Sequence, residues 1–423
     1  MSDIIDELRW RGLIEQYSDL EAIRRDLAAG PVTFYCGFDP TAPSLHHGHL
    51  VQLLLMKHLQ RAGHRPLALV GGATGLIGDP RMSGERQLHS KEVVAGWVDK
   101  LREQIEKLLD FEGPAAATMV NNLDWTSEMS AIDFLRDLGK NFRMGTMLSK
   151  EAVARRLSSD EGISYTEFSY QILQANDFLQ LYRRYGCVLE TGGNDQWGNL
   201  VGGMDLIRKT EGKQVHCMTT PIITKSDGTK FGKSEGGAIW LNPEMMSPYA
   251  FYQFWLGTED ADVIRMLKIF TFRTREEIEQ LETEVAERPF ARVAQKTLAA
   301  DVTAMVHGED ALERVLAATD ALWGKGDLSA LDGATLTSAV EHLPMPAEDA
   351  VVGQTSIIDL LVGAGFEKSR GAARKTIQSG GAYLNNVKVA DPDRVVAAED
   401  VLADGWILFR KGKRNLGAAH VVQ

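Results

Sequence analysis

The sequence has little cysteine, no long apolar run and no overall excess of positive charge, and each shortage excludes a class of protein. The 423 residues include three cysteines, Cys36, Cys187 and Cys217, too few and too scattered for a disulfide framework or a zinc site. No apolar run approaches the roughly 20 residues that span a bilayer. The amino-terminal segment is acidic and amphipathic, unlike a signal peptide. We therefore expect a cytoplasmic protein with no membrane association and no metal-ligand cluster.

The charge is negative overall but unevenly spread. The net charge of -12 argues against a protein that coats nucleic acid along its whole surface. From Val351 to Gln423, however, ten basic residues outnumber seven acidic ones. Contact with a polyanion is therefore expected to be local and to fall in this last segment.

The first half of the chain alternates short apolar runs with helical patterns, which predicts an α/β fold with a doubly wound, Rossmann-like parallel sheet. The predicted strands are Val32–Phe38, Pro66–Gly71, Thr118–Asn121, Cys187–Glu190 and Val215–Thr219. The predicted helices are Gly48–Ala62, Lys91–Leu109, Tyr165–Tyr182 and Gln196–Lys209. Ligands in such folds bind outside the carboxyl ends of the strands, where several polar segments of this chain fall.

The second half predicts a different organisation. A helical pattern from Pro248 to about Trp323 is followed by a Gly- and Pro-punctuated stretch to Gln354, and then by a compact mixed segment. We expect a catalytic domain over 1–222, a connection over 223–247, an α-helical domain over 248–325, a linker over 326–354 and a small α+β domain over 355–423.

Two short polar motifs carry most of the chemical signal. His46 and His49 lie at the start of a predicted helix, where donors beside the positive end of the helix dipole favour an anion. Far downstream, Lys230-Phe231-Gly232-Lys233-Ser234 places two lysines on a loop, where they are able to close over phosphates. Each motif alone is weak, since the first also suits a plain helix start and the second a solvated loop. Together they suit attack on the α-phosphate of ATP.

A third signal is a polar stripe inside an apolar helix. Tyr170, Gln174 and Asp177 are spaced to share one helical face, and a stripe of this spacing is usually solvated. Here it is embedded among large apolar residues, so a buried amide and carboxylate need hydrogen-bond partners. A phenolic substrate with an ammonium group would supply them.

Five ordered segments resemble one family, the bacterial tyrosyl-tRNA synthetases of class I. Tyr35 to Leu50 resembles the family's first signature, and Lys230 to Ser234 resembles its second lysine-bearing loop. The intervening segments Gly75–Pro80, Tyr170–Phe178 and Gly192–Asn199 also match, so the resemblance covers essentially the whole chain. Two departures stand out. His47 occupies a usually aliphatic position, and residues 81–84 lack an expected lysine, which leaves Arg86 as the better basic candidate there.

The resemblance implies a set of contacts to L-tyrosine. Tyr35 and Asp177 would address the phenol hydroxyl. Tyr170, Gln174 and Asp79 would take the α-ammonium, and Gln196 would hold the carboxylate. A pocket that satisfies a hydroxyl leaves buried polar groups unpaired when phenylalanine enters it.

The resemblance also implies an ATP site. Gly37, Gly48 and Gly193 would allow close backbone approach to the nucleotide, and Asp39 and Asp195 would accept hydrogen bonds from ribose. Taken singly, such glycines more often serve turns and such aspartates more often cap helices. The catalytic groups would be Thr41, His46 and His49 on one side and Lys230 and Lys233, which also binds ATP, on the other.

The implied chemistry needs no protein nucleophile. The tyrosine carboxylate would attack the α-phosphorus, and the enzyme would stabilise charge on the departing pyrophosphate. Mg²⁺ would accompany ATP as a substrate complex, coordinated mostly by phosphate and water. The ribose hydroxyl at the 3′ end of tRNA(Tyr) would then accept the tyrosyl group.

The last segment resembles a small RNA-binding module named after a ribosomal protein. Its candidate phosphate contacts are Arg370, Arg374, Lys375, Lys411, Lys413 and Arg414. A charged helix face is often merely solvated, but the Gly and Asn turn pattern around it favours the RNA interpretation.

Three alternatives remain open at this point. Tryptophan activation shares the fold and motifs, although Tyr35 with Asp177 favours tyrosine. A nucleotidyltransferase for a small metabolite shares the histidine motif but not the lysine loop. An RNA-binding or structural protein on a decayed synthetase scaffold would keep the motifs without activity. The resemblance further implies a homodimer.

Overall fold

The structure is a computed structural model that describes residues 3–80, 84, 88–159, 162–229, 231–232 and 238–422. In chain order, the elements of the first half are α1 (Ile4–Arg11), α2 (Leu20–Ala29), β1 (Thr33–Phe38), α3 (His47–Arg61), β2 (Arg65–Val70), α4 (Lys91–Glu106), β3 (Thr118–Asn121), α5 (Leu123–Thr126), α6 (Ala131–Asp133), α7 (Met144–Leu148), α8 (Glu151–Leu157), α9 (Tyr165–Tyr185), β4 (Leu189–Gly193), α10 (Trp197–Glu211) and β5 (His216–Thr220).

The second half is helical at first and mixed at the end. Its elements are α11 (Pro248–Leu256), α12 (Asp260–Phe270), α13 (Arg275–Glu287), α14 (Val293–His307), α15 (Glu309–Leu322), α16 (Gly333–Val340), β6 (Ala350–Val351), α17 (Ile357–Gly363), α18 (Arg370–Gln378), β7 (Ala382–Leu384), β8 (Val387–Lys388), β9 (Trp406–Lys411) and β10 (Asn415–Val422).

The first sheet has the strand order β3-β2-β1-β4-β5, and every pairing in it is parallel. The chain builds outward from β1 to β3 on one side and then returns to place β4 against β1. The order therefore changes direction between β1 and β4, and a crevice opens there at the carboxyl ends of the strands. This confirms the predicted doubly wound α/β fold.

The helices that border this crevice have clear local causes. In α9, the Ser164 side chain accepts from the Glu167 amide at the start, and Gly186 ends the helix in a left-handed conformation with φ 63°. This 21-residue helix is buried on most sides, because its apolar residues join the core formed with α10 and the sheet. Its polar residues are thereby held inside the fold.

Two compact units make up the chain. The first comprises Met1–Met246 with Thr258–Leu298, and the second comprises Ser247–Gly257 with Ala299–Gln423. The helical stretch 248–325, expected as one domain, is thus shared between them. Arg11 helps to place α12 in the first unit, because its buried guanidinium donates to the carbonyls of Lys268, Thr271 and Arg273 and so attaches the end of α12 to α1. The five predicted domain limits stay predictions.

The second unit holds a sheet of order β6-β10-β9-β7-β8. Helices α17 and α18 pack on it around Ile357, Leu361 and Phe409. The stretch 326–354, expected as a linker, contains α16 and β6. Asp332 caps α16 by accepting from the Thr335 amide, and Leu336 and Val340 are buried. The polar residues that suggested a linker therefore cap a packed helix.

Among the described residues, no helix combines the length and apolarity needed to cross a membrane.

Candidate functional site

A cavity of about 860 Å³ opens at the crevice between β1 and β4. Every tyrosine- or ATP-site residue predicted from the sequence that the structure describes lines this cavity. They are Tyr35, Gly37, Asp39, Thr41, His46, Gly48, His49, Asp79, Tyr170, Gln174, Asp177, Gly193, Asp195 and Gln196. Lys230, Lys233 and Arg86 lie outside the described residues.

One end of the cavity is built on Asp177. Its Oδ1 accepts from the Trp125 indole at 2.8 Å, and its Oδ2 accepts from Asn122 Nδ2 at 3.0 Å. Burial raises the pKa of Asp177 to about 8, while these two donors oppose the rise. The carboxyl group is therefore fixed in orientation, and a hydroxyl that entered the cavity would find an immobile acceptor.

Asp39 forms a second fixed group. Its Oδ1 accepts from the Thr74 hydroxyl at 2.6 Å and its Oδ2 from the Tyr170 hydroxyl at 2.7 Å. Because Tyr170 donates its only proton to Asp39, its oxygen remains an acceptor toward the cavity. Gly71 is required beside this pair, since a Cβ there would lie 2.0 Å from Asp39 Oδ1.

Asp79 is held from the other wall. Gln196 Nε2 donates to Asp79 Oδ2 at 3.0 Å, and Asn199 Nδ2 lies 3.3 Å from Oδ1. Asn199 also donates to Gln196 Oε1 at 3.0 Å, so the three side chains orient one another. Burial lowers the pKa of the Lys150 ammonium to about 8, and the charge of Asp79 opposes that shift.

The two motif histidines cap α3 with one nitrogen each. His46 Nδ1 accepts from the Gly48 amide and His49 Nδ1 accepts from the His46 amide, both at 3.1 Å. The two rings stack with centroids 3.9 Å apart. In a neutral imidazole whose Nδ1 accepts, the proton is on Nε2, and burial lowers the pKa of both rings. Each histidine is thus a neutral donor.

Two of the glycines predicted to adjoin the nucleotide have no room for a side chain. A Cβ on Gly48 would lie 2.9 Å from His46 Cε1, and one on Gly193 would lie 2.5 Å from Asp195 Oδ1. A side chain at either position would displace a group of the cavity wall. Gly37 is less constrained, because the nearest atom to its Cβ position is 3.7 Å away on Leu69.

His47 faces the second motif. Its ring lies 5.9 Å from that of Phe231, and a Cβ on Gly232 would lie 2.2 Å from His47 Cε1. Burial lowers the pKa of His47 to about 4. The chain that follows the motif is tied to the start of α3, since the His47 amide donates to the Ile239 carbonyl at 2.9 Å.

Four polar residues around the cavity carboxylates were not predicted from the sequence. Asn122 and Trp125 hold Asp177, Asn199 holds Asp79, and Glu190 lies in β4 with 2% of its surface exposed. One signal was available for Glu190, because a carboxylate inside an apolar strand of a parallel sheet is unusual. The other three follow strand ends or helix starts, but no spacing in the sequence marks their contacts.

The six predicted RNA contacts divide into two groups. Arg370 pairs with Asp359, Arg374 with Asp393 at 2.6 Å, and Lys411 with Glu367 at 2.9 Å. The others, Lys375, Lys413 and Arg414, are exposed and form no ion pair within the described part of the chain.

Comparison with known proteins identifies the family of this chain. Residues 27–324 match the family model described as tRNA synthetases class I (W and Y), which leaves tyrosine and tryptophan undecided. Residues 338–417 match the C-terminal domain model of tyrosine–tRNA ligases. A tyrosine–tRNA ligase from Streptomyces avermitilis is 60% identical over 100% of this chain and 99% of its own length. The chain belongs to the tyrosine–tRNA ligase family.

Further relatives agree. A tyrosine–tRNA ligase from Corynebacterium glutamicum is 52% identical over 99% of this chain and 100% of its own. The truncated mitochondrial tyrosyl-tRNA synthetase of Coccidioides posadasii superposes with a TM-score of 0.66 at 30% identity, covering 74% of this chain and 91% of that one. The ligase is therefore an aminoacyl-tRNA synthetase, and the tyrosine prediction is confirmed over the tryptophan alternative.

Proposed function

We propose that the ligase activates L-tyrosine with ATP in this cavity and then transfers tyrosine to the 3′ end of tRNA(Tyr), with the predicted site residues in specific roles. The observation that carries the proposal is the convergence of fixed polar groups on one cavity. Acceptors for a hydroxyl and an ammonium lie in its depth, and neutral donors lie at the start of α3. Tyrosine and a triphosphate need these two sets of groups side by side.

Tyrosine binds with its phenol inward. Asp177 is the fixed acceptor for the phenol hydroxyl, and Tyr35 is its neighbour on β1. The ammonium meets the Tyr170 oxygen, the Gln174 amide and Asp79. The Tyr170 oxygen accepts because its proton is engaged by Asp39. Gln196, already oriented by Asp79, is left to hold the substrate carboxylate near the α-phosphate.

ATP occupies the side of the cavity next to α3. The Nε2 donors of His46 and His49, with the Thr41 hydroxyl, face the phosphates as charge moves onto the leaving group. Gly37, Gly48 and Gly193 let the nucleotide approach the backbone, and Asp39 and Asp195 accept from ribose. Lys230 and Lys233 complete the phosphate site by resemblance.

The reaction is two successive displacements. A carboxylate oxygen of tyrosine attacks the α-phosphorus, the bond to the bridging oxygen breaks, and pyrophosphate leaves with the electron pair. The tyrosyl-adenylate is then attacked at its carbonyl carbon by a ribose hydroxyl of the tRNA, which loses its proton as AMP leaves. The protein supplies position and charge stabilisation and forms no covalent bond.

Mg²⁺ is proposed to arrive with ATP. Among the described residues, no three His, Cys, Asp or Glu side chains gather in a way that would hold a metal ion. The cation would be coordinated mostly by phosphate and water, with the neutral imidazoles of His46 and His49 beside it.

The C-terminal segment is proposed to bind the tRNA backbone. Lys375, Lys413 and Arg414 are the better candidates for phosphate contact, because the other three predicted cations already pair with carboxylates. These contacts would supply affinity rather than sequence choice.

A homodimer in the cytoplasm is proposed as the working form. Several large apolar side chains of the first unit are exposed between residues 132 and 165: Ile132, Leu135, Met144, Leu157 and Tyr165. Exposed apolar surface of this kind commonly marks a protein interface. Three buried free cysteines suit a reducing compartment.

The role of the histidines is tested by single-turnover formation of tyrosyl-adenylate. His46→Ala and His49→Ala should each slow this step by about 100- to 1,000-fold, the loss typical of one donor to a developing charge. The dissociation constant of tyrosine, measured by calorimetry, should change less than about twofold because neither ring contacts the amino acid. An unchanged single-turnover rate would remove that histidine from the mechanism.

A further inference from the structure

Glu190 is a buried carboxylate to which the proposed mechanism gives no role. It lies in β4 with 2% of its surface exposed and lines the cavity. The two groups that favour its charged form, the Tyr35 hydroxyl and the Gln174 amide, are both neutral. A buried carboxylate without a cationic partner is costly for a fold to keep, so its contacts warrant a functional explanation.

The first contact fixes the Gln174 amide. Gln174 Nε2 donates to Glu190 Oε1 at 3.2 Å. A primary amide has a donor end and an acceptor end, and only the donor end is able to face a carboxylate. Gln174 Oε1 is consequently turned away from Glu190, and it is buried without a hydrogen-bond partner in the described part of the chain. An ammonium group in the cavity would satisfy it.

The second contact concerns the Tyr35 hydroxyl. Tyr35 on β1 and Glu190 on β4 are direct neighbours in the parallel register, so their side chains leave the sheet on the same face. The Tyr35 hydroxyl and Glu190 Oε2 are both buried, and neither has a hydrogen-bond partner within the described part of the chain, although the hydroxyl lies close enough to favour the charged form of Glu190. A carboxylate oxygen at this position is placed to accept a hydrogen bond from the Tyr35 hydroxyl and so to fix its direction.

Glu190 thus adjoins both ends of the tyrosine subsite. Asp177 is oriented independently of Glu190, because its two oxygens accept from Asn122 and Trp125. We propose that Glu190 is a positioning residue, which turns the Gln174 oxygen toward the substrate ammonium and holds the Tyr35 hydroxyl in place at the phenol end of the site. This inference rests on the proposed function and deepens it, since it assigns the orientation of two groups of the tyrosine subsite to one side chain.

The pH dependence of binding follows from the groups around Glu190. The titratable groups that interact electrostatically with it are Tyr35 and Cys36 on β1, Asp177 on α9, Cys187 and, on β5, Cys217, and burial raises the pKa of each. Burial raises the pKa of Glu190 itself to about 7. An ammonium favours the ionised carboxylates, so tyrosine should bind more weakly as the pH falls and Glu190 gains a proton.

The test measures the dissociation constant of L-tyrosine by calorimetry between pH 6 and pH 9. In the wild type, protonation of Glu190 should weaken binding by about tenfold from pH 8 to pH 6. Glu190→Gln should bind tyrosine about 5- to 10-fold more weakly at pH 8, and its affinity should no longer change near pH 7. The change in affinity due to titration of Asp177, about one pH unit higher, should remain. The KM for ATP should stay within about twofold.

Two further variants separate positioning from a purely structural role. Glu190→Asp keeps the charge but moves it back toward the strand. Tyrosine binding should therefore weaken, while the change in affinity near pH 7 should remain. Glu167→Gln makes the same chemical change at a carboxyl group that is also buried, pairs with Arg156 and does not line the cavity. It should lower thermal stability and leave tyrosine binding unchanged.

Unchanged affinity and an unchanged pH profile in Glu190→Gln would overturn the inference. If that variant fails to fold, wild-type affinity in Glu190→Asp would overturn it equally. Tyrosine binding without adenylate formation by the wild type would overturn the proposed function instead, and the calorimetric comparison would still decide the role of Glu190.

Discussion

At the scale of single residues, selectivity depends on the directions in which a few buried groups donate and accept. Asp177 receives two hydrogen bonds, one at each oxygen, and the proton of Tyr170 is engaged by Asp39. In the proposed site, the substrate meets acceptors whose orientation is set before it binds. Phenylalanine would leave Asp177 without a donor, which is the basis that we propose for discrimination against it.

Asp177→Asn tests this polarity. The new amide must turn its NH₂ group toward either Trp125 or Asn122, and both are donors, so one donor loses its acceptor. That loss is present with and without substrate and lowers stability. In the complex, the phenol hydroxyl must also share the one remaining acceptor oxygen, and an unsatisfied buried donor there costs about 1–3 kcal/mol, or about 5- to 150-fold in affinity. Tyrosine binding should weaken by this factor, and the preference for tyrosine over phenylalanine in pyrophosphate exchange should fall in parallel.

Asp205→Asn is the matched control for that substitution. Asp205 lies on α10 in surface ion pairs with Arg208 and Lys209, where the loss of one charge has little effect. If Asp177→Asn behaved like this control, with tyrosine affinity and selectivity intact, the assignment of Asp177 to the phenol hydroxyl would be wrong.

At the scale of elements, the start of α3 contacts the second motif, the loop that contains Phe231 and Gly232, and the chain that follows it. The amide of His47 donates to the Ile239 carbonyl, and the Leu241 amide donates to the Leu45 carbonyl, each at 2.9 Å. Between these ties, the His47 ring occupies the space beside Gly232, whose φ is +78°. In the sequence, Lys230 and Lys233 lie on either side of Phe231 and Gly232, the residues beside the His47 ring.

Gly232→Ala should slow adenylate formation, because its methyl group would collide with the His47 ring and displace the motif. We expect about a tenfold loss, from the collision together with about 1–2 kcal/mol for a side chain in the left-handed region. Combining Gly232→Ala with His47→Ala removes the collision and should recover part of the rate in single-turnover experiments. A double variant no faster than Gly232→Ala alone would show that the ring contact does not position the motif.

The elements themselves were largely predictable from the sequence, for a physical reason. Strands of a parallel sheet are buried on both faces and read as apolar runs, so β3 was predicted at its observed limits and β1 within one residue. The strand β4 begins later and runs further than predicted, because its pairing with β5 extends through Thr191, Gly192 and Gly193. The stretch expected as a linker contains α16, a short helix whose capping residues resemble those of a turn.

The site was predictable only where residues fall in recognisable motifs. Asp177, Gln174 and Tyr170 share a helical face, so their spacing was informative. Glu190 lines the cavity from β4, and Asn122 holds Asp177 from the end of β3; only the parallel register brings these positions together. Contacts that depend on register between distant strands have no local sequence pattern.

At the scale of the whole molecule, an acidic protein must bind an acidic nucleic acid. The net charge of -12 opposes approach of RNA to most of the surface. The cations proposed for tRNA are therefore those that pair with no carboxylate among the residues that the structure describes. Lys375, Lys413 and Arg414 are exposed in the C-terminal segment.

Two triple variants with the same change in charge test this arrangement. Replacing Lys375, Lys413 and Arg414 with alanine should weaken tRNA binding and lower the slope of log K against log salt by about 2–3, as loss of three phosphate contacts predicts. Replacing Arg370, Arg374 and Lys411 with alanine should leave that slope nearly unchanged, because those cations are paired. Equal slopes for the two variants would contradict the assignment.

The most direct test of the whole account is amino-acid-dependent exchange of labelled pyrophosphate into ATP, run in parallel with tyrosine, tryptophan and phenylalanine. We expect exchange with tyrosine and none above background with the other two, since only tyrosine supplies both a hydroxyl for Asp177 and a fit to the cavity. Exchange with tryptophan in its place would contradict the assigned pocket. Absence of exchange with all three would contradict the proposed activity.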